Sequence, residues 1–282
     1  MKRAALILLL FTCITNCKTI EPPLRNAPEP LASADPKPTS EKTANPKVDH
    51  SFVSEEFRDF VPEVISRDLL LDYNGFVLEF DTLTQHAKWV SYLLCKENLG
   101  HGEERSSNFR MEKRLGDHSP RDASYKNSGY DRGHLAPAAD MSYSTESMYD
   151  SFYLTNASPQ VPGFNRGIWK RLEEQVRKFA SEKDTIYIAT GPILKENLQK
   201  IANSRICIPE YYYKVILKKD TSNPQGIAFI MKNESASGDL ANFAITIDSV
   251  EVMTGINFFP MLDAKQEAQA ESKVDMNYWF RN

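Results

Sequence analysis

Cysteine is scarce in this chain. Only four of the 282 residues are cysteine, and two of them, Cys13 and Cys17, stand in the first 17 positions. The other two, Cys95 and Cys207, have no second cysteine or histidine at metal-ligand spacing, which excludes a zinc scaffold. Whether they are bridged or remain free thiols is open at this level. An excess of positive charge is also missing. Basic residues number 34 against 38 acidic ones, a net of −4, and from residue 48 onward 27 face 34, a net of −7. A chain-wide basic surface is thereby excluded, so any affinity for polyanions must come from a local patch. No internal repeat is present, which excludes solenoids and propellers.

The chain opens with a basic Met1-Lys-Arg and an apolar stretch, Ala4 to Phe11, too short to cross a bilayer. Residues 1–17 therefore read as a secretory signal peptide ending at Cys17. A cysteine closing such a segment resembles a bacterial lipobox, and lipidation of Cys17 is the expectation, with ordinary cleavage and release as the alternative. Residues 18–50 carry seven prolines, at 22, 23, 28, 30, 36, 38 and 46, and no apolar periodicity. They read as a disordered tether. Residues 51–282 are long enough for one domain with a substantial core. The expected location is the cell envelope, as a lipoprotein of the outer membrane or periplasm, or the exterior.

Apolar or alternating runs predict strands at Phe76–Phe80, Lys88–Leu94, Thr185–Thr190, Tyr211–Leu217, Gly226–Met231 and Phe243–Ile247. Ile168, Leu172, Val176 and Phe179 form a stripe at helical spacing and predict a helix between Gly167 and Ser181, with Glu173 and Arg177 one position round from the stripe. The expectation is an α+β domain with a largely antiparallel sheet flanked by helices.

The chemistry concentrates in Tyr130-Asp-Arg-Gly-His-Leu-Ala-Pro137. His134 is suited to proton transfer near neutrality, Arg132 grips phosphate bidentately, and Gly133 allows close backbone approach. Ten basic residues cluster around it in sequence, from Lys113 and Arg114 to Arg177 and Lys178. His50, His86, His101 and His118 lie in linker, turn or loop contexts and are read as having no organised partners. Asp140 is read as structural and Trp169 as core or site wall. Residues 101–127 form an irregular polar segment, substrate-facing if it borders the site.

The order of Asp131-Arg-Gly-His134, Asn156 followed by Pro159-Gln160, Asn165, Glu173 and Arg177 resembles that of the DNA/RNA non-specific endonucleases, the ββα-metal family that includes endonuclease G. The resemblance extends through Trp89-Val-Ser-Tyr92, Thr190-Gly-Pro-Ile193, Tyr213-Lys214, Glu251 and Thr254-Gly255. It implies His134 as general base, Asn165 as the one direct protein ligand of Mg²⁺, and Glu173 as a ligand through water. Mn²⁺, which takes similar oxygen ligands, is the alternative. It implies Arg132 and Arg177 on the scissile phosphate, Arg105 as a further substrate contact, and Asn156 holding His134 or the phosphate, with a turn ahead of Ser158-Pro159 as the other reading of Asn156; Asp131 is either a substrate contact or a residue that caps and orients the motif loop. The implied reaction is hydrolysis of DNA and RNA to 5′ phosphate and 3′ hydroxyl ends, and relatives of this kind are commonly homodimers. An unbroken helix from Asn165 to Glu173 would separate the two by ~12 Å. Either Glu173 then acts through water or Asn165 precedes the helix. A competing reading is a catalytically weak surface lipoprotein that binds nucleic acid or a host factor.

Overall fold

The computed structural model describes residues 55–281, Ser107 apart. Residues 1–17, read as a signal peptide, and 18–50, read as a tether, with Cys17 and His50 among them, lie outside the described residues. Within them, no helix is long and apolar enough to cross a membrane.

Nine strands and seven α-helices are described. The strands are β1 Leu70–Tyr73, β2 Phe76–Asp81, β3 His86–Cys95, β4 Asp131–His134, β5 Ala157–Gln160, β6 Thr185–Pro192, β7 Tyr211–Lys218, β8 Gln225–Lys232 and β9 Ala244–Ile245. The helices are α1 Glu55–Arg58, α2 Asp122–Tyr125, α3 Thr145–Ser151, α4 Lys170–Lys183, α5 Ile247–Thr254, α6 Ala264–Glu271 and α7 Met276–Phe280. Seven strands form one antiparallel sheet in the order β1-β2-β3-β6-β7-β8-β9, and β4 pairs with β5 in a separate antiparallel ribbon.

Alternate residues of the large sheet feed two apolar cores. Tyr212, Ile216, Ile227 and Phe229 pack with Leu172, Val176 and Phe179 of α4. Their neighbours Tyr213, Val215, Leu217 and Ala228 pack with Ile247 and Val250 of α5 and Ala270 of α6. Burial on both faces explains why these strands read as nearly continuous apolar runs and not as strict alternation. Turn chemistry sets the first hairpin, where Gly75 takes φ +92° after Asn74.

One expected strand is corrected. Of Phe243–Ile247 only Ala244–Ile245 pairs, because the Thr246 side chain accepts a hydrogen bond from Ser249 N and starts α5 at Ile247. A hydroxyl cap outweighs β-propensity there. Cys95 and Cys207 are free thiols.

Candidate active site

The β4–β5 ribbon and α4 build the site. In the ribbon, Gly133 faces Ser158 and His134 faces Ala157. A Cβ on Gly133 would lie 2.0 Å from Gln160 Oε1 and 2.1 Å from its Cδ. Gln160 is fully buried, so it has little room to give way, and glycine is required at this position.

The ribbon is fixed to the sheet through His86, whose reading as a partnerless turn residue is corrected. His86 opens β3 and is fully buried, with Nε2 2.7 Å from Cys207 O and Nδ1 3.2 Å from Ser158 Oγ. Burial pulls its pKa down to about 4. It is therefore neutral, donating from Nε2–H and accepting at Nδ1. Ser158 Oγ also lies 2.7 Å from Tyr212 Oη, which donates to Pro159 O at 2.8 Å. His101 Nε2 contacts Glu97 O, and the His118 carbonyl accepts from Gln85; neither histidine reaches the site.

His134 is held by packing. Its ring lies 5.0 Å from that of Phe109 and 4.8 Å from that of Phe152. Arg132 stands over Phe109 at 4.7 Å and Arg105 over Phe152 at 5.4 Å. Phe109 and Phe152 also meet each other at 5.0 Å, so the three rings form a triangle with a guanidinium group over each phenylalanine. Burial first, then the Arg105 and Arg132 charges, pull the His134 pKa down to about 3, so the imidazole is neutral. Nε2 is out of contact with solvent and has no hydrogen-bond partner, which leaves Nδ1 as the nitrogen open to a reactant. Phe109 and Phe152 escaped sequence reading because an aromatic residue in an irregular loop or at a helix end carries no periodic signal.

Asn165 does not lie on a helix continuous with Glu173. It sits in a π-helical turn, Phe164–Trp169, that kinks at Gly167 before α4 begins at Lys170. The π-turn breaks the 3.6-residue spacing and lets Asn165 and Glu173 line the same cleft. Asn165 Nδ2 donates to Asp131 Oδ2 at 2.9 Å, which turns its Oδ1 away from that partner. Asp131 also receives a two-pronged grip from Arg166, at 2.8 and 2.6 Å. Both its oxygens are thereby engaged, and Asp131 orients Asn165 from outside the cleft lining.

Arg177 pairs with Asp140 at 2.8 Å, not with Glu173. The fully buried Asp140 also accepts from Tyr92 at 2.9 Å, which makes it an anchor for the site arginine. Glu173 makes no hydrogen bond or close ion pair with a described residue. Desolvation raises its pKa, opposed chiefly by Lys214. Lys214 lies on the α4 face of β7 and is completely buried, its Nζ 5.2 Å from the Trp169 ring and 5.8 Å from that of Tyr92, without a hydrogen-bond partner. Burial lowers its pKa. Trp169 is core and supports Lys214.

Asn156 departs from the expected role. Fully buried, it accepts from Ala136 N and donates to Ala136 O and Ser151 O, each at 2.9 Å. All three bonds go to backbone, so it fixes the chain after His134 and touches neither His134 nor the cleft.

The structure thus brings Arg105, Arg132, His134, Asn165, Glu173 and Arg177 together around a cleft of about 460 Å³, joined by Arg166 and Lys170. Five basic side chains face one carboxylate. Four of the five are ion-paired, Arg132 with Asp122, Arg166 with Asp131, Lys170 with Glu174 and Arg177 with Asp140, and Arg105 has no ion pair among the described residues. Another depression, lined by Tyr130, Lys195 and Asn233, is similar in size but holds no such set.

An antiparallel ribbon followed by a helix, with an imidazole, an amide oxygen and a carboxylate on one basic cleft, is the ββα-metal architecture of nucleic-acid hydrolases. A family model described as DNA/RNA non-specific endonuclease matches residues 56–265. A nuclease from Nostoc sp. (strain PCC 7120) is 32% identical over 218 residues, covering 73% of this chain and 78% of the relative. Mitochondrial endonuclease G from Homo sapiens is 31% identical over 206 residues, covering 68% of this chain and 69% of the relative. Among solved structures, the EndoG/EndoGI complex, a study of EndoG inhibition, superposes with a TM-score of 0.67 at 28% identity, covering 72% of this chain and 90% of that one. The chain belongs to the DNA/RNA non-specific endonuclease family and is a nuclease related to endonuclease G.

Proposed function

We propose that the protein hydrolyses phosphodiester bonds of DNA and RNA with His134 as general base, aided by one divalent cation, Mg²⁺ first and Mn²⁺ second. The observation that carries this reading is the neutral His134 on one cleft with Asn165 and Glu173. Asn165 Oδ1 and the unpaired Glu173 carboxylate are hard oxygen donors and fit such an ion, Asn165 directly and Glu173 through water. When bound, the ion would supply positive charge at the scissile phosphate and the departing oxygen.

His134 Nδ1 takes a proton from water as the water oxygen attacks phosphorus in line. The bond from phosphorus to the 3′ oxygen breaks, and that oxygen leaves as the 3′ hydroxyl after protonation from solvent. Burial first, and then Arg105 and Arg132, hold the His134 pKa low. A phosphate placed between them would cancel part of their field, so His134 gains basicity when substrate is present. Arg177, anchored by Asp140, neutralises charge gathering on the phosphate. Base edges meet no dedicated reader in this set, which agrees with little sequence preference. Export and lipidation at Cys17, with residues 18–50 as tether, complete the proposal on sequence grounds alone.

The test is digestion of supercoiled plasmid and of RNA with Mg²⁺, with EDTA, and with His134→Ala. Cleavage of both substrates that needs the metal and His134 is expected. Cleavage that persists in EDTA would remove the metal from the mechanism. Intact substrate throughout, with a folded protein, would favour the binding lipoprotein.

A further inference from the structure

The sheet face away from the cleft is closed by α5 and α6. Asp248 and Glu251 lie three residues apart on α5 and share a side of the helix. Glu271 is the last residue of α6. A carboxylate oxygen from each lies within 4.8 Å of the others. Asp248 is exposed, Glu251 is half-buried and Glu271 is only 1% exposed. Among the described residues no lysine or arginine pairs with any of the three. Glu251 spends Oε1 on Phe258 N at 2.7 Å, which orients its head and leaves Oε2 uncommitted.

An acidic surface cluster by itself is ordinary. The separate observation is Glu271 Oε1, which is shut off from solvent and has no hydrogen-bond partner. A buried carboxylate oxygen left unpaired costs about 1–3 kcal/mol, more if charged, and natural folds seldom leave it so. Nearby charges deepen the deficit, because Glu251, Glu267 and Asp248 all act on Glu271 with the same sign. Packing holds the end of α6 in place: Gly226 of β8 lies so close to α6 that a Cβ there would sit 2.1 Å from Ala270 O. The α6 backbone beside Glu271 is thereby held against β8.

We infer that Asp248, Glu251 and Glu271 form a second, non-catalytic site for a divalent cation, with Ca²⁺ the best match, which ties the end of α6 to α5. Ca²⁺ accepts several carboxylates in flexible geometry and completes its shell with water from the exposed Asp248 side, whereas Mg²⁺ gives up its waters reluctantly. The site lies across the sheet from His134, so its presence is independent of the proposed catalytic mechanism.

The experiment is calorimetric titration of the full chain with CaCl₂, paired with melting in Ca²⁺ and in EDTA. The proteins are wild type, Asn165→Ala, Glu271→Gln and Asp248→Asn. One Ca²⁺ equivalent should survive Asn165→Ala, which disables the cleft, and raise the melting temperature. Glu271→Gln keeps the shape of the side chain and should abolish that binding. Asp248→Asn, at an exposed position where folding is not at stake, should weaken it at least about tenfold. Both α5–α6 variants should cleave plasmid at the wild-type rate. Binding unchanged in Glu271→Gln and Asp248→Asn, or no Ca²⁺ effect beyond what Asn165→Ala removes, would overturn the site.

Discussion

On the cleft face, Lys214, Glu173, Arg177 and Asp140 alternate in sign, and the two fully buried members, Lys214 and Asp140, lie beneath the two that face the cleft. On the far face, Glu271 is buried among Glu251, Glu267 and Asp248, and among the described residues no cationic side chain acts on it. Burial raises the carboxyl pKa in both places, but only at Glu173 does a basic neighbour oppose it. The difference separates two uses of buried charge. The cleft carries its own counter-charges and is ready for a phosphate, while the far cluster is complete only with a metal ion or a proton.

The largest expected effect breaks the cleft alone. His134→Ala should cut plasmid cleavage by about 10²–10⁴, the usual contribution of a general base, and leave the Ca²⁺-dependent melting shift intact. Loss of both together would mean that the two faces are not independent.

Next comes Glu271→Gln in EDTA. The Glu271 carboxyl is pushed up to about 9 against an ordinary 4.5. Below pH 4.5 it is protonated in the folded and unfolded chain alike and has no effect. Between 4.5 and 9 the unfolded chain ionises while the fold holds the proton, so stability falls as pH rises. The exposed Asp248 side admits solvent, which argues for discounting the nominal shift to about 3 kcal/mol at pH 8. Glutamine should recover that amount at pH 8 and nothing at pH 4, measured by urea unfolding. Equal effects at both pH values would show that the carboxyl does not titrate as its burial implies.

A third experiment sharpens the role of counter-charge in the cleft. Lys214→Met keeps length and apolar contact with Trp169 and Tyr92 while removing a buried ammonium that has no hydrogen bond. Two terms oppose each other in stability, since the cost of burying the ammonium disappears while Glu173 and Asp140 lose its attraction, so the melting temperature should stay near that of wild type. Without Lys214 the Glu173 carboxyl rises further and holds its proton, so cleavage should drop about 10- to 100-fold. A large loss of stability with normal cleavage would contradict this division of labour.

These effects indicate what could be read in advance. The strands buried on both faces and the stripe on α4 were legible, because apolar burial repeats along the chain with the period of the element. Arg132, His134, Asn165, Glu173 and Arg177 were legible through the order of their residue types, and Arg105 only through what the resemblance implies. That Asn165 precedes the helix was one of two open readings; the π-turn at Phe164–Trp169 that offsets it was not legible, since it has no composition signature. Nor were the parts played by Asp140, Lys214, Phe152 and His86. Each works through a partner 37 to 121 positions away or through pure packing, and pairing across the sheet leaves no local trace. Asn156 shows the converse: a polar residue in the right order is spent entirely on backbone.

The smallest expected effect concerns the histidines, whose pH dependence runs opposite to that of Glu271. His86 is held at about 4 and His134 at about 3, against an ordinary 6.5. Above pH 6.5 both are neutral in either state and stability is unaffected. As pH falls below 6.5 the unfolded chain takes up protons that the fold refuses, and each histidine removes up to about 1.4 kcal/mol per pH unit until its folded pKa is reached. The raised carboxyls of Glu271, Glu251 and Asp150 act in the other direction over the same range, so the wild-type profile alone hides the term. Comparing His86→Gln with wild type at pH 7.5 and again at pH 5.5 isolates it. Any packing or hydrogen-bond cost of the substitution is common to both values, and only the protonation term differs. The variant should gain about 1 kcal/mol on the parent between pH 7.5 and 5.5. An unchanged difference would mean that His86 already takes up its proton within the fold, and that its bonds to Cys207 and Ser158 rearrange when it does.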